Sequence, residues 1–466
     1  MASRDSPRKA SRLAILGWVL FDWAAQPYFT LIMTFIYAPY FASAVVGDAT
    51  RGQSIWGFAT AAAGIIIALS SPALGSIADA TGRRKPWIAA FGALLVIGAA
   101  ALWVAKPGDA STIMPALIAF VIASIGVEFA TVFNNTMMPT LVPKNKVGSL
   151  SGLGWAVGYV GGMISLIFSL AFLSTNPETG RTLLGFMPAF GLDTAAREGD
   201  RAMGPLTAIW FVIFVTPLFL FTPDGKARHR LGPAITHGLR ALAATVRAAR
   251  RHRDLWLFLL ANMIYTDGLI ALFAFGGIYG AGTFGWHTIE LGLFGILLTI
   301  TGTIGAYVGG KLDDRLGAKT VVLGSLVVLT FCCCAILSVS RDRILFFLPV
   351  APLQPGDGIF ASTAERLYVL LGALIGMSAG PLQAASRTLL VRLAPHDRLA
   401  QFFGLFALSG KLTSFMGPFL VAAVTAATAS QKAGISVLVA FFFAGGILLA
   451  SARIGVRSPR FESAHP

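Results

Sequence analysis

Charged residues are scarce in this chain: Asp, Glu, Lys and Arg make up 12% of its 466 residues, while 56% are hydrophobic. A soluble globular protein has about a quarter charged residues, so the composition excludes that class. The mean hydropathy of +0.74 indicates instead a protein that crosses a membrane many times. Composition thus sets the class of protein before any motif is considered.

Residues that could ligate a metal or act as nucleophiles are also few. The three cysteines, Cys332 to Cys334, are contiguous, so they cannot share one helix face as a metal site requires. The six histidines lie outside the apolar runs and pair with no Cys or carboxylate at a ligand spacing. A phosphate-binding G-x-x-x-x-G-K-[ST] loop is missing as well. We therefore expect no metal, no cofactor and no enzyme activity, and no ATP-driven pump.

Long apolar runs dominate what remains. A membrane-spanning helix needs roughly 20 mostly apolar residues, and runs of this length exclude the short strands of a barrel. The sequence predicts an all-α integral membrane protein with twelve transmembrane helices, at about 13–40, 53–75, 87–105, 111–135, 149–173, 205–222, 254–282, 288–309, 320–338, 365–388, 399–424 and 433–452.

The distribution of cations predicts the orientation. The net charge of +15 could suggest nucleic acid, but no basic face is interleaved with stacking aromatics. If both termini are cytoplasmic, most Lys and Arg fall in the inner segments, whereas Asp and Glu divide evenly between the two sides. The positive-inside rule thus predicts both termini in the cytoplasm and the lipid bilayer as the partner, with no nucleic-acid partner.

An internal repeat divides the chain into two halves. Gly75, Asp79 and Gly82 recur at identical spacing as Gly310, Asp314 and Gly317. Asp22 in the first run likewise corresponds to Asp267 in the seventh run. A further series repeats at a constant offset: Pro143, Lys146, Gly152 and Gly158 match Pro395, Arg398, Gly404 and Gly410. Parallel six-helix repeats build one large class of transporters. The sequence predicts two six-helix bundles with pseudo-twofold symmetry, at 1–222 and 253–466, joined by a basic linker with an amphipathic helix at 223–252.

The hairpin between the second and third runs, GSIADATGRRK, resembles the signature loop of the major facilitator superfamily. Its glycines permit a tight turn, and its aspartate can cap a helix end and pair with a cation. We interpret the hairpin and its second copy as an intracellular gate; a turn that only sets topology is the alternative. The predicted gate residues are Gly75, Asp79, Gly82, Arg83, Arg84, Lys85, Asp314, Gly317 and Lys319.

Three further segments resemble the vacuole-effluxer-like permeases of that superfamily. They are GWVLFDWAAQPYFTLIMTFIYAPYF (17–41), NNTMMPTLVPKNKVGSLSGLGWAVGYVGG (134–162) and PLQAASRTLLVRLAPHDRLAQFFGLFALSGKLTSFMGP (381–418). The resemblance implies the major facilitator fold and transport by alternating access. In the fungal branch it implies export of neutral amino acids from the vacuole; for this chain we expect the inner membrane of a bacterium and a monomer.

The predicted spans are expected to bury four charges: Asp22, Glu128, Asp267 and Lys411. An intramembrane charge is costly and is therefore a functional-site hypothesis. The first, fourth and seventh helices of this fold line its central cavity, so the three acids can face one pocket and relay a proton. A structural ion pair between Lys411 and one of the acids is the alternative.

Polar side chains near these charges are candidates for binding a small polar solute and protons: Gln26, Tyr28, Asn134, Asn135, Asn262, Tyr265 and Gln383. Amides and hydroxyls suit a zwitterion or a polyol, although hydrogen bonding between helices explains them equally well. The predicted function is secondary active transport of a small polar organic solute such as an amino acid, coupled to protons. A drug or metabolite exporter and a non-transporting receptor on the same scaffold are the alternatives.

Overall fold

A computed structural model describes residues 10–47, 49–143, 146–175, 179–225, 253–284, 286, 288–351, 360–394, 399–411, 413–414, 416–428 and 430–453. The predicted amphipathic helix of the linker falls on 226–252, outside the described residues. The same holds for the side chains of Asp79 and Lys411.

Twelve helices follow one another in the described ranges, as the apolar runs predict. They are α1 Arg12–Pro27, α2 Ala49–Thr81, α3 Lys85–Ala101, α4 Ile113–Leu141, α5 Val147–Phe172, α6 Met203–Phe221, α7 Arg253–Phe284, α8 Thr288–Leu316, α9 Ala318–Leu337, α10 Thr363–Leu393, α11 in two segments, Leu399–Lys411 and Met416–Thr428, and α12 Gln431–Ser451.

Ten of these helices, over their described residues, are long and apolar enough to cross a membrane. The other two, α2 and α11, contain shorter described apolar stretches at Phe58–Ser71 and Met416–Thr425. The all-α, twelve-helix prediction is confirmed.

The first helix changes its winding near its middle. Pro27 ends α1, and the chain continues as a π-helix over Tyr28–Phe35 and a short α-turn over Tyr37–Tyr40. A proline inside a helix removes a backbone donor, and π-helical turns are frequent at functional sites. The irregular part of the first helix therefore begins at Tyr28, between one and two turns beyond Asp22.

Short elements complete the connections. A second π-helical turn covers Phe41–Val45, 3₁₀ turns cover Leu102–Val104, Ala110–Thr112 and Ala189–Gly191, and a short helix covers Glu198–Arg201. Between α9 and α10, strands β1 Arg343–Ile344 and β2 Leu348–Pro349 form an antiparallel hairpin. Phe346 and Phe347 at its tip are exposed, in keeping with a segment that is too short to span.

One end of the bundle holds the beginning of α1 and the end of α12, and we call it the terminus face. There the Thr222 hydroxyl donates to the Ala14 carbonyl (3.0 Å), and the Arg453 amide donates to Asp254 (2.8 Å). These bonds join the ends of α1 with α6 and of α7 with α12. At this face, the first and last helices of each half are therefore hydrogen-bonded to each other.

The two halves meet most closely along α5 and α8. A Cβ added at Gly152 would lie 2.5 Å from the Ala306 carbonyl oxygen and 2.7 Å from the Gly310 Cα. Only glycine lets two helix backbones approach to this distance. The repeated glycines of the sequence thus mark a contact between the halves near the terminus face.

Candidate functional site

An ion pair joins the two halves inside the bundle. Asp22 lies on α1, ten residues from its beginning, and Arg387 lies on α10, six residues before its end. The Arg387 Nη1 is 3.4 Å from the Asp22 Oδ2, and the two side chains are 5% and 13% exposed. At about 1.5 Å per residue, Asp22 and Arg387 lie about 15 Å and about 9 Å from the terminus-face ends of their helices, each inside a candidate membrane span.

Arg387 is held by two further helices of the opposite half. Its Nε donates to the Ser151 hydroxyl (2.8 Å), its Nη2 to the Ser151 carbonyl (2.7 Å) and its Nη1 to the Asn135 side-chain oxygen (2.8 Å). Its guanidinium carbon also lies 5.3 Å from the ring centre of Trp18 and 5.9 Å from that of Trp155. Cation–π attraction and these acceptors offset the cost of burying the charge. We call these five residues and Asp22 the Arg387 cluster.

The Arg387 cluster lies on the axis that relates the two repeats. Asn135 and Arg387 are 252 positions apart, which is the offset that relates Pro143 to Pro395 in the sequence. Equivalent residues of a twofold repeat touch each other only near the axis. The central position of the cluster therefore follows from the duplication itself.

Sequence reasoning missed Arg387. The expectation of four charges within the spans was wrong, because position 387 falls inside the predicted tenth span, at 365–388, and carries an arginine. The residue also stands in a segment that carries the family resemblance, one repeat offset from Asn135. The alternative of an ion pair is realised for Asp22, but with Arg387 as its cation.

The other candidate cavity residues mostly bond within their own half. Tyr28 pairs with Ser124 (2.5 Å), Asn262 donates to Ser409 (3.0 Å) and Tyr265 pairs with Ser386 (2.7 Å). These bonds join α4, α10 and α11 to their neighbours, so they support the reading as hydrogen bonds between helices. Gln383 differs, because its amide donates to the Tyr159 hydroxyl of α5 (3.1 Å) across the halves.

The remaining candidates are spread over three helices. Gln26 lies on α1 against Gly162 of α5, and Glu128 is half-buried on α4. Asp267 on α7 is 2% exposed. Thus Asp22 and Asp267 occupy their two halves as the repeat predicts, while only Asp22 belongs to the Arg387 cluster.

Several buried polar atoms of the candidate residues and their neighbours have no hydrogen-bond partner among the described residues. They include the indole Nε1 of Trp155, both side-chain atoms of Asn134 and the Oδ1 of Asp267. The Asn134 main-chain oxygen, in contrast, accepts from Trp18 (2.8 Å). Buried polar groups are ordinarily paired, so these atoms have capacity to bind a ligand.

The second copy of the hairpin forms a contact between the halves. Asp314 lies in the last turn of α8 and accepts the backbone amides of Gly148 and Ser149 (both 3.0 Å) at the beginning of α5, together with the Ser149 hydroxyl. An aspartate is a strong N-cap, and its charge suits the positive end of a helix. Here the cap comes from the opposite half, and we call it the Asp314 cap.

Other predicted gate residues stabilise their own half. Lys85 donates to the Phe219 carbonyl (2.8 Å) near the end of α6, and Lys319 donates to the Ala452 carbonyl (2.6 Å) at the end of α12. The Arg84 Nε donates to Thr136 (3.0 Å). Cations at helix C-termini satisfy free carbonyls, so these bonds give both lysines a structural role that sequence spacing did not reveal.

The remaining gate residues form the turns or lie at the surface. Gly82 and Gly317 have φ angles of +79° and +87°, which only glycine adopts without strain. Gly75 is buried on α2, and the Arg83 side chain is exposed. Nearby, Arg392 of α10 pairs with Asp313 of α8 (2.8 Å).

No group of three metal-ligating side chains occurs among the described residues. Polar and charged groups of the two repeats meet at two places: inside the bundle, at the Arg387 cluster, and at the terminus face, at the Asp314 cap. This arrangement can bind a solute between two bodies and close one side.

Two helical halves that meet around a buried polar cluster are the arrangement of the major facilitator fold. Likeness to solved structures shows the same fold. The proton:xylose symporter of the major facilitator superfamily superposes with a TM-score of 0.63 at 13% identity, covering 94% of both chains.

The chain belongs to the family described as vacuole effluxer Atg22 like, whose model matches residues 44–455. It is 25% identical to the uncharacterized MFS-type transporter YxiO of Bacillus subtilis, over 93% of both chains. It is 24% identical to autophagy-related protein 22-1 of Penicillium rubens, over 59% of this chain and 44% of that protein. The protein is an integral, multi-pass membrane protein and a secondary transporter, not an enzyme.

Proposed function

We propose that this transporter moves a small polar organic solute by alternating access and couples the movement to protons. The observation that carries the proposal is Arg387, a buried cation that binds three helices of the opposite half. A buried charge is stable only while its partners are in place. Separation of the halves must therefore expose Arg387 to water or to a solute.

The Asp314 cap supports the same proposal. It joins the halves at the terminus face, and the Arg392 to Asp313 pair lies beside it within the second half, so the described conformation is the one closed on that side. We propose that this face is cytoplasmic, because the cations of the sequence concentrate there, in the inner membrane of a bacterium. Both halves belong to one chain, which supports a monomer as the working unit.

An amino acid is the substrate that we propose. The cluster presents a cation in Arg387 and an anion in Asp22, which complement the two charges of a zwitterion. The family description, vacuole effluxer, is consistent with export of a small solute. Counterflow into proteoliposomes, with unlabelled amino acids inside and labelled ones outside, tests the proposal; no exchange of any amino acid would contradict it.

Proton coupling is assigned to Asp22. Replacing it by Asn keeps the shape but removes the group that can take up a proton. Asp22→Asn should exchange solute more weakly, because the ammonium group of the solute loses its carboxylate partner, and the exchange that remains should not respond to an imposed pH gradient. Accumulation driven by the gradient is the measurement, and Asp342→Asn, at an exposed loop carboxylate, is the matched control. Continued gradient-driven accumulation by Asp22→Asn would show that the proton is carried elsewhere.

The first hairpin should have a role in the gate. We expect Asp79→Asn and Arg83→Ala to slow transport severalfold without reducing the amount of protein inserted in the membrane. Initial counterflow rates, normalised to inserted protein, measure this effect. Unchanged rates in both variants would leave the hairpin with a topological role alone.

A further inference from the structure

We propose that Arg387 is the carboxylate anchor of the substrate site and that the indole Nε1–H of Trp155 is a second donor to the same carboxylate. The inference deepens the proposed function and rests on it, because it presupposes a solute bound between the halves. It assigns the ligand by chemistry: an organic solute that carries a carboxylate.

The contact between Arg387 and Asp22 is loose for a buried pair. A charge-assisted N–H···O bond is ordinarily about 2.7 to 2.9 Å long and often bidentate, whereas here one nitrogen lies 3.4 Å from one oxygen. The short bonds of Arg387 go to neutral oxygens of Asn135 and Ser151. Among the described residues, the Arg387 guanidinium therefore makes no short bidentate contact with a carboxylate.

Trp155 provides the independent observation. Its ring stands against the guanidinium at 5.9 Å, and its Nε1 has no partner among the described residues. A buried indole N–H ordinarily finds an acceptor. The Trp155 indole N–H can therefore donate to an acceptor that the described residues do not supply, and it belongs to a ring that lies beside Arg387.

The partly exposed polar and aromatic side chains near Arg387 lie on the side of Gln383. Trp155 and Tyr159 are half-buried neighbours on α5, with ring centres 5.8 Å apart, and Tyr159 accepts from the half-buried Gln383. Next to Trp155 in the chain, Gly154 has no side chain, and the Asp22 carboxylate and the Arg387 Nη2 lie against it. When a substrate carboxylate binds the Arg387 guanidinium, Asp22 no longer pairs with Arg387 and can bind a proton or a cationic group of the substrate.

The experiment compares acids with their amides. Thermal stabilisation of the purified full chain and inhibition of counterflow are measured with L-alanine against L-alaninamide, and with propionate against propionamide. Stabilisation reports binding to the folded state. The wild type should prefer acids by at least about tenfold, the scale of one charge-assisted hydrogen bond. A preference in the alanine pair alone means that the solute needs its ammonium as well as its carboxylate to bind, whereas a preference in both pairs identifies the carboxylate as sufficient.

Variants distinguish two roles of Arg387: binding the substrate carboxylate, and holding the two halves together without contacting the substrate. Arg387→Ala should lose the preference, Arg387→Lys should retain part of it, and Trp155→Phe should weaken acid binding about tenfold while amide binding stays constant. Arg366→Ala, which removes an exposed arginine at the other end of α10, is the control. Equal loss for acids and amides in Arg387→Ala would overturn the anchor. Exchange without acid preference in the wild type would overturn this inference alone, whereas no exchange at all contradicts the proposed function.

Discussion

Gly152→Val abolishes transport, with a loss of at least about a hundredfold, while the protein still inserts and each half still folds. Even the Cβ of this side chain would lie 2.5 Å from the Ala306 carbonyl oxygen and 3.0 Å from the Gly310 amide nitrogen. Both atoms belong to backbone that cannot move aside. The clash arises only where the halves meet, so the variant cannot close at the terminus face.

Gly152→Ala should give a smaller loss than Gly152→Val, since fewer atoms enter the gap. Gly324→Val is the matched control, because Gly324 lies in the interior of α9 with no atom within 4 Å of an added Cβ. Counterflow rates, normalised to inserted protein, measure the effect. If Gly152→Val and Gly324→Val transport equally well, the contact between α5 and α8 is not part of the cycle.

Asp314→Ala slows transport roughly 5- to 30-fold, the effect of removing about 1 to 2 kcal/mol from the closed conformation. The substitution removes an N-cap, which is worth about that amount, and the charge at the beginning of α5. Since Asp314 and the amides that donate to it lie in different halves, the loss falls on the closed conformation more than on either half.

Asp109→Ala is the control for Asp314→Ala. Asp109 accepts the Ser111 amide (3.0 Å) as the N-cap of a 3₁₀ turn within one half. Its loss should lower the melting temperature slightly and leave transport unchanged. A melting temperature that falls in both variants, with a transport rate that falls in neither, would reduce the Asp314 cap to an ordinary stabilising contact.

Residue types and spacing predicted much of the fold. Twelve apolar runs gave twelve helices, and the repeat of Gly75, Asp79 and Gly82 placed a second hairpin at the end of α8. Depth within the membrane could also be counted along each helix, which correctly made Asp22 a buried charge. All of these features depend on residues that are near one another in the chain.

Contacts between distant helices were beyond that reasoning. Asp314 lies 166 positions from Gly148, and no local pattern indicates that it caps another half's helix. A pair between Lys411 and one acid was the alternative to a proton relay, and the side chain of Lys411 lies outside the described residues. Membrane depth does not tell which faces of α1, α10 and α11 meet. Arg387 could have been found from its position inside a predicted span; its bonds to Asn135 and Ser151 required the tertiary structure.

The central claim is that the two halves separate at the terminus face during the cycle. Spin labels at Thr140, exposed at the end of α4, and Leu316, exposed at the end of α8, report that separation by pulsed EPR once Cys332, Cys333 and Cys334 are replaced by Ala. We predict a short distance that lengthens when transported solute is added, and a long distance at all times in Gly152→Val. One unchanging distance in both proteins, with and without solute, would contradict the account.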